Sequence, residues 1–249
     1  AKTEGCDTTV SSSLTSQLEC TDDDTLNITI NGSVIKTGAD TIHAKSHSDV
    51  TIDNKGTISA STNQAINMQH AVNTTVTNSG TIEATLRNAI LMDGDNADNN
   101  TINNSGTLKA GKKQVILATN SENTTIINSG TIETTNSSNP NTGGINYYNT
   151  SGAAINGATI TNSGTIFAYG TGIRFGTLGI ASKAVNNMTI TNSGTIEGVT
   201  ASIAVHNANA TGTNIITKDE GTYVGEIILN DSETTFTCLL YTSPSPRDS

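Results

Sequence analysis

The sequence predicts an all-β chain: a single-stranded, right-handed parallel β-helix of about eight three-strand rungs. Two observations carry this expectation directly. The phrase Thr-Val-Thr-Asn-Ser-Gly-Thr-Ile at 75–82 returns at 101–108, 125–132, 159–166 and 189–196, with weaker copies at 51–58 and around Gly32 and Gly221. A second marker, Ile42, Ile66, Ile90, Ile116, Ile145, Ile173 and Ile203, opens an alternating apolar pair 9 or 10 residues after the phrase glycine, or 15 in the one case of Ile145. A third observation is compositional. Aromatic residues make up 3% of the 249 residues and Trp is absent, so an irregular core has too few large side chains to fill it and a regular stack of small β-branched residues must serve instead.

In chain order, residues 1–24 form an expected N-terminal cap segment. It holds Cys6 and Cys20, for which a disulfide fits an oxidising compartment; two free thiols are the alternative. Residues 25–230 form the expected β-helix. Its first strand turns an Ile or Val inward: Ile52, Val76, Ile102, Ile126, Ile160, Ile190 and, in the last copy, Ile216. The corner that follows contains Gly, expected to supply a positive φ, and an Asn column. Asn54, Asn78, Asn104, Asn128, Asn162 and Asn192, stacked at about 4.8 Å, can pass amide hydrogen bonds from rung to rung. The second strand centres on Ile58, Ile82, Leu108, Ile132, Ile166 and Ile196, and the third presents pairs such as Ile66/Met68 and Ile203/Val205. No segment has helical periodicity, which sets aside helical solenoids, and the repeat is too short and aromatic-poor for a propeller blade. Right-handedness follows the general rule for parallel crossovers.

The tail is of a different character. Cys238 to Asp248 resembles the translation of an adapter used in preparing sequencing libraries, so residues 231–249 are expected to be a truncated end plus foreign sequence, with the natural protein continuing past Thr237. The opening Ala-Lys-Thr-Glu-Gly suits either a mature terminus after signal removal or a fragment edge.

The Thr-Ile-x-Asn-Ser-Gly-Thr-Ile phrase resembles the passenger regions of type V autotransporters and related surface β-helix adhesins of Gram-negative bacteria, over about residues 25–224. The resemblance implies an extracellular location on the outer-membrane surface, a stalk or adhesin without catalysis, and a C-terminal translocator barrel beyond this portion. The implied partners are a host glycan, a matrix protein or a second copy. A net charge of −10 with no basic cluster argues against nucleic acid, and no stretch is long and apolar enough to insert into a bilayer as a helix.

Insertions on a solenoid become loops, and two stand out at 135–144 and 176–187. Around them lie Tyr147, Tyr148, Phe167, Tyr169 and Phe175; alternation turns Tyr147 and Phe175 inward and leaves Phe167, Tyr148 and Arg174 outward. Asn146, Tyr148, Phe167 and Arg174 are therefore the candidate ligand patch, with ordinary surface decoration as its alternative. Among charged groups, Glu83, Lys109 and Glu133 read as a structural ladder of alternating sign rather than a glycosidase pair. Asp93, Asp95 and Asp98 are dense in oxygen but lack the spacing of a calcium loop, and His43, His47, His70 and His206 lie on different rungs with no nucleophile in fixed relation to them. No cofactor, metal or catalytic residue is assigned. The competing functions are a polysaccharide lyase or hydrolase and, third, an ice-binding face built on Thr75/Thr77, Thr159/Thr161 and Thr189/Thr191.

Overall fold

A computed structural model describes residues 3–137, 139–150, 155–176, 185–206, 212–218, 220–229 and 234–239. Among them every regular element is a β-strand, and the strands stack into three parallel sheets of ten, ten and nine strands, with one further two-stranded pairing of Ile155–Asn156 with Val185–Asn186. The chain visits the sheets in turn. Thr51–Asn54 lies in what we term the B sheet, Thr57–Ala60 in the C sheet and Ile66–Asn67 in the A sheet, and Thr75–Asn78 then returns to B directly above Thr51–Asn54. The architecture is a parallel β-solenoid with three strands per turn, as the repeat predicts.

Register is strict because the period-two pattern leaves no other way to bury the aliphatic set. Ile52, Val76, Ile102, Ile126, Ile160 and Ile190 stack in one column, and Ile58, Ile82, Leu108, Ile132, Ile166 and Ile196 in another, every one fully buried. Two aromatic side chains, Tyr147 and Phe175, are also fully buried in the interior. The Tyr147 and Phe175 rings meet at 5.7 Å, and the Tyr147 hydroxyl shares a 2.6 Å hydrogen bond with Thr124 Oγ1. Burial pushes that phenol well above its ordinary range, so it stays neutral.

The first turn begins earlier than the repeat suggests. Thr3–Gly5, Thr8–Val10 and Ser13–Leu14 extend the A, B and C sheets, so the segment ahead of Leu26 is itself solenoid. Cys6 and Cys20, buried and one turn apart, are joined by a disulfide with their Cα atoms 4.5 Å apart. At the other end Thr235–Leu239, which includes Cys238, pairs with Asn214–Lys218 in the B sheet; residues 240–249 lie outside the described residues. In that last full B strand the inward residue is Ile215, in register with Ile190, and Ile216 faces outward, a correction of the expected assignment. Four residues rather than two separate the strand position equivalent to Asn192 from Gly221, and counting back from the glycine therefore misplaces the strand.

The Asn column forms as expected. Each Nδ2 donates to the Oδ1 of the next: Asn54 to Asn78 at 2.7 Å, Asn78 to Asn104 at 2.8 Å, Asn104 to Asn128 at 2.8 Å, Asn128 to Asn162 at 2.7 Å and Asn162 to Asn192 at 2.8 Å. The same nitrogen also faces its own corner glycine carbonyl and a Thr carbonyl one turn on, as with Asn104 to Gly106 at 3.3 Å and Thr131 at 3.1 Å. Beneath Asn54 the column is occupied by Ile28, which leaves the buried Asn54 Oδ1 without a donor. We expect Ile28→Asn, which supplies that donor, to cost less than half as much as Ile126→Asn. The latter places an unpaired amide in the apolar interior at about 3–5 kcal/mol. Urea midpoints of the two variants check this, and equal losses would contradict it.

The corner glycines do their work differently from the expectation. None of Gly56, Gly80, Gly106, Gly130, Gly164 or Gly194 has positive φ; each lies so close to the glycine carbonyl one turn below that a Cβ has no room. The left-handed residues sit at the opposite corner, between the A and B sheets. There Asp23, Asp49, Asn73, Asn99, Asn123 and Asn187 have φ between 51° and 65°, and Gly157 and Gly212 replace them in two turns. Short amide and carboxylate side chains tolerate this conformation better than other non-glycine residues do.

Candidate functional site

The outward column of the A sheet runs His43, Asn67, Leu91, Leu117, Asn146, Arg174 and Ala204 in register. Several of these positions are buried although they face away from the solenoid interior, Asn146 and Ala204 completely. The structure brings Asn146, Tyr148 and Arg174 together here. Asn146 Nδ2 donates to the Tyr148 hydroxyl at 2.9 Å, and Arg174, directly above Asn146, donates from Nη2 to Thr171 Oγ1 at 2.8 Å.

The fourth candidate does not join them. Phe167 belongs to the C sheet, between Glu133 and Glu197 in register, with its ring edge-on to Tyr169 at 4.9 Å. Proximity in sequence misled because the chain turns a corner between Ala168 and Thr171, so residues seven apart project from different faces. Asn146 also departs from expectation in being fully buried rather than a surface group. Of the insertions that suggested the patch, residues 138 and 177–184 lie outside the described residues.

Sequence reading missed His206. It follows the A-sheet strand Ala201–Val205, its backbone N–H donates to the Phe175 carbonyl at 2.8 Å, and its charged form is disfavoured first by burial and then by the Arg174 guanidinium. The available signal was its place two residues past Ala204, in the outward alternation that also contains Arg174. The shift has a testable consequence. An imidazole whose folded-state pKa lies below the ordinary 6.5 binds fewer protons than in the unfolded chain, so its effect on stability is absent above about pH 7 and grows as pH falls through 6.5. We expect wild-type stability to decline between about pH 7.5 and pH 5 more than that of His206→Gln, as read from urea midpoints at each pH.

The other charged groups form separate local pairs. Lys109 Nζ is 3.2 Å from Glu133 Oε1, while Glu83 accepts from Ser59 Oγ at 2.9 Å, so the ladder of alternating sign closes on one side only. Near the first turns His43 Nδ1 meets Glu19 at 2.6 Å, and His47 Nδ1 meets Asp22 at 3.1 Å. A backbone hydrogen bond from Ser48, then the His47 ring, hold the Asp22 carboxyl below its usual range. Asp98 is engaged by the Glu122 backbone N–H at 2.8 Å, and His70 Nδ1 lies 3.0 Å from the Asp95 carbonyl. No group of three or more His, Cys, Asp or Glu among the described residues is arranged to hold a metal ion.

On the B sheet one outward column is unbroken Thr from Thr25 to Thr189, whereas the other reads Asn27, Asp53, Thr77, Asn103, Ile127, Thr161 and Thr191. The C sheet repeats the first pattern from Thr57 to Thr222. These columns are the outward half of strands whose inward half is the aliphatic core.

No family model matches the sequence, and neither a curated protein nor a solved structure matches it.

Proposed function

We propose that the chain is a non-catalytic passenger displayed at a bacterial cell surface, working as an adhesin or stalk. The observation that carries this reading is the uninterrupted stack itself. Three sheets and one amide column run through successive turns, and such a shaft is suited to holding a contact surface away from its point of attachment. The resemblance of the Asn-Ser-Gly phrase to autotransporter passengers supports the surface assignment, with translocation by a C-terminal barrel outside this portion. The contact surface is the A-sheet face around Asn146, Tyr148 and Arg174, and its partner is a host glycan or matrix protein.

Display of the chain on a non-adherent bacterium tests the reading. Adherence to matrix-coated or glycan-coated surfaces should rise above that of cells carrying an empty display scaffold. Unchanged adherence, or breakdown of an acidic polysaccharide by the purified chain, would overturn it in favour of a different role or of the enzyme reading.

A further inference from the structure

Few buried side-chain polar atoms among the described residues lack a hydrogen-bond partner, yet three of them fall at one place: Asn146 Oδ1, Arg174 Nε and His206 Nδ1. They come from successive A-sheet turns, with Asn146 below Arg174 and His206 just beyond Ala204, which lies above it. In the Asn column five of the six Oδ1 atoms accept from the neighbouring Nδ2 at 2.7 or 2.8 Å, Asn54 at its end excepted, so three unmet atoms on adjoining turns mark this place out. Arg174 is also unusual electrostatically. In a chain of net charge −10, no carboxylate among the described residues pairs with it, and its hydrogen bond is to a neutral hydroxyl.

A partly buried guanidinium with an unpartnered Nε, an amide acceptor on the turn beneath it and the Tyr148 phenol bonded to that amide make a chemically specific combination. A guanidinium matches a carboxylate in shape and charge and is more weakly hydrated than an ammonium, so it binds that group with little desolvation cost. Asn146 Oδ1, buried and without a donor in the structure, has the capacity to accept from a hydroxyl, and the Tyr148 ring bonded to the same side chain is partly exposed and of the kind on which sugar rings rest. Carboxylate and hydroxyl on one ring describe an acidic sugar. We infer that the Asn146–Tyr148–Arg174–His206 cluster is a subsite for a carboxylate-bearing sugar, with Arg174 taking the carboxylate and Asn146 a neighbouring hydroxyl. This rests on the adhesin reading and specifies its ligand class.

Titration of the whole chain with methyl β-glucuronide and with its neutral counterpart methyl β-glucoside, followed by ligand-observed NMR, tests the assignment. The glucuronide should bind about tenfold or more tightly than the glucoside, and Arg174→Gln should remove that preference. Asn146→Asp, which sets an internal carboxylate beneath the guanidinium, should abolish glucuronide binding, and circular dichroism reports whether each variant is folded; Asn146→Asp keeps the test decisive if Arg174→Gln does not fold. Equal affinity for the two sugars, or full glucuronide binding by a folded variant, overturns the inference. Stronger competition by a glutamate-rich peptide than by glucuronide also overturns it and assigns the face to an acidic polypeptide. Surface adherence that survives Arg174→Gln leaves the adhesin reading standing while the acidic-sugar subsite falls.

Discussion

Gly130→Ala is expected to destabilise the solenoid by about 3–5 kcal/mol. A Cβ at this position would lie within van der Waals contact of the Gly106 carbonyl oxygen, 2.6 Å from the Ser105 carbonyl carbon and 2.7 Å from the Ser105 oxygen. All of these are backbone atoms of the turn below and cannot swing aside as a flexible side chain would. Relief requires the two turns to separate at this corner, which stretches the hydrogen bonds from Ser129 N and Gly130 N to the Asn104 carbonyl, now 2.8 and 3.1 Å. Gly5→Ala is the control, because nothing lies within 4 Å of its added methyl, and its effect should stay within about 0.5 kcal/mol. Chemical denaturation of both variants, read by circular dichroism, checks the contrast. A mild Gly130→Ala would mean that the stacked corners are looser than these distances indicate.

Asn104→Leu should cost about 2–4 kcal/mol, for reasons of unmet hydrogen bonding rather than packing volume. Removal of the Asn104 amide leaves Asn128 Oδ1 without its donor and takes a donor from the Gly106 and Thr131 carbonyls, all in a site closed to water. Asn78 Nδ2 fares better, since it keeps the Gly80 and Thr107 carbonyls at 3.2 Å each. The loss is therefore directional along the column. It follows that Asn104→Leu combined with Asn128→Leu should cost less than the sum of the two single changes, because the second substitution removes the acceptor that the first one orphaned. A double-mutant cycle on urea midpoints measures this coupling; strict additivity would show that the amide column does not act as a connected unit.

These two predictions also mark where the sequence could and could not be read. The Asn column was legible because one residue type at one phase of a repeat has few roles other than stacking on itself. The glycine beside it was legible as a position but not as a mechanism. A glycine invariant across a repeat fits either a left-handed turn or a close approach of two backbones, and only the stacked turns distinguish the two. The left-handed corner was in fact written in the chain, as Asp23, Asp49, Asn73, Asn99, Asn123 and Asn187, each two residues ahead of the B strand. The Asn-Ser-Gly phrase drew attention away from it.

The candidate site was less legible than the fold. Alternation correctly placed Tyr147 and Phe175 in the interior and Arg174 on the outer side, because that inference needs only the local strand. It failed for Phe167, whose position depends on which corner intervenes, and for Asn146, which alternation places on the outer side but which is fully buried. His206 was scattered among other histidines by sequence and becomes notable only through its proximity to Arg174.

One consequence concerns where this molecule is free to vary. From the third turn through the eighth, the B-to-C corner holds a constant two-residue spacing from Asn to Gly, whereas added residues enter at the C-to-A corner before Gly143 and at the A-to-B corner after Met92, Tyr148 and Phe175. The amide-and-glycine edge thus behaves as a spine, and the other two edges as permissive ports for grafting. A foreign peptide spliced between the exposed Asp95 and Asn96 would be carried on the shaft, while the same peptide placed between Asn128 and Gly130 would sever it.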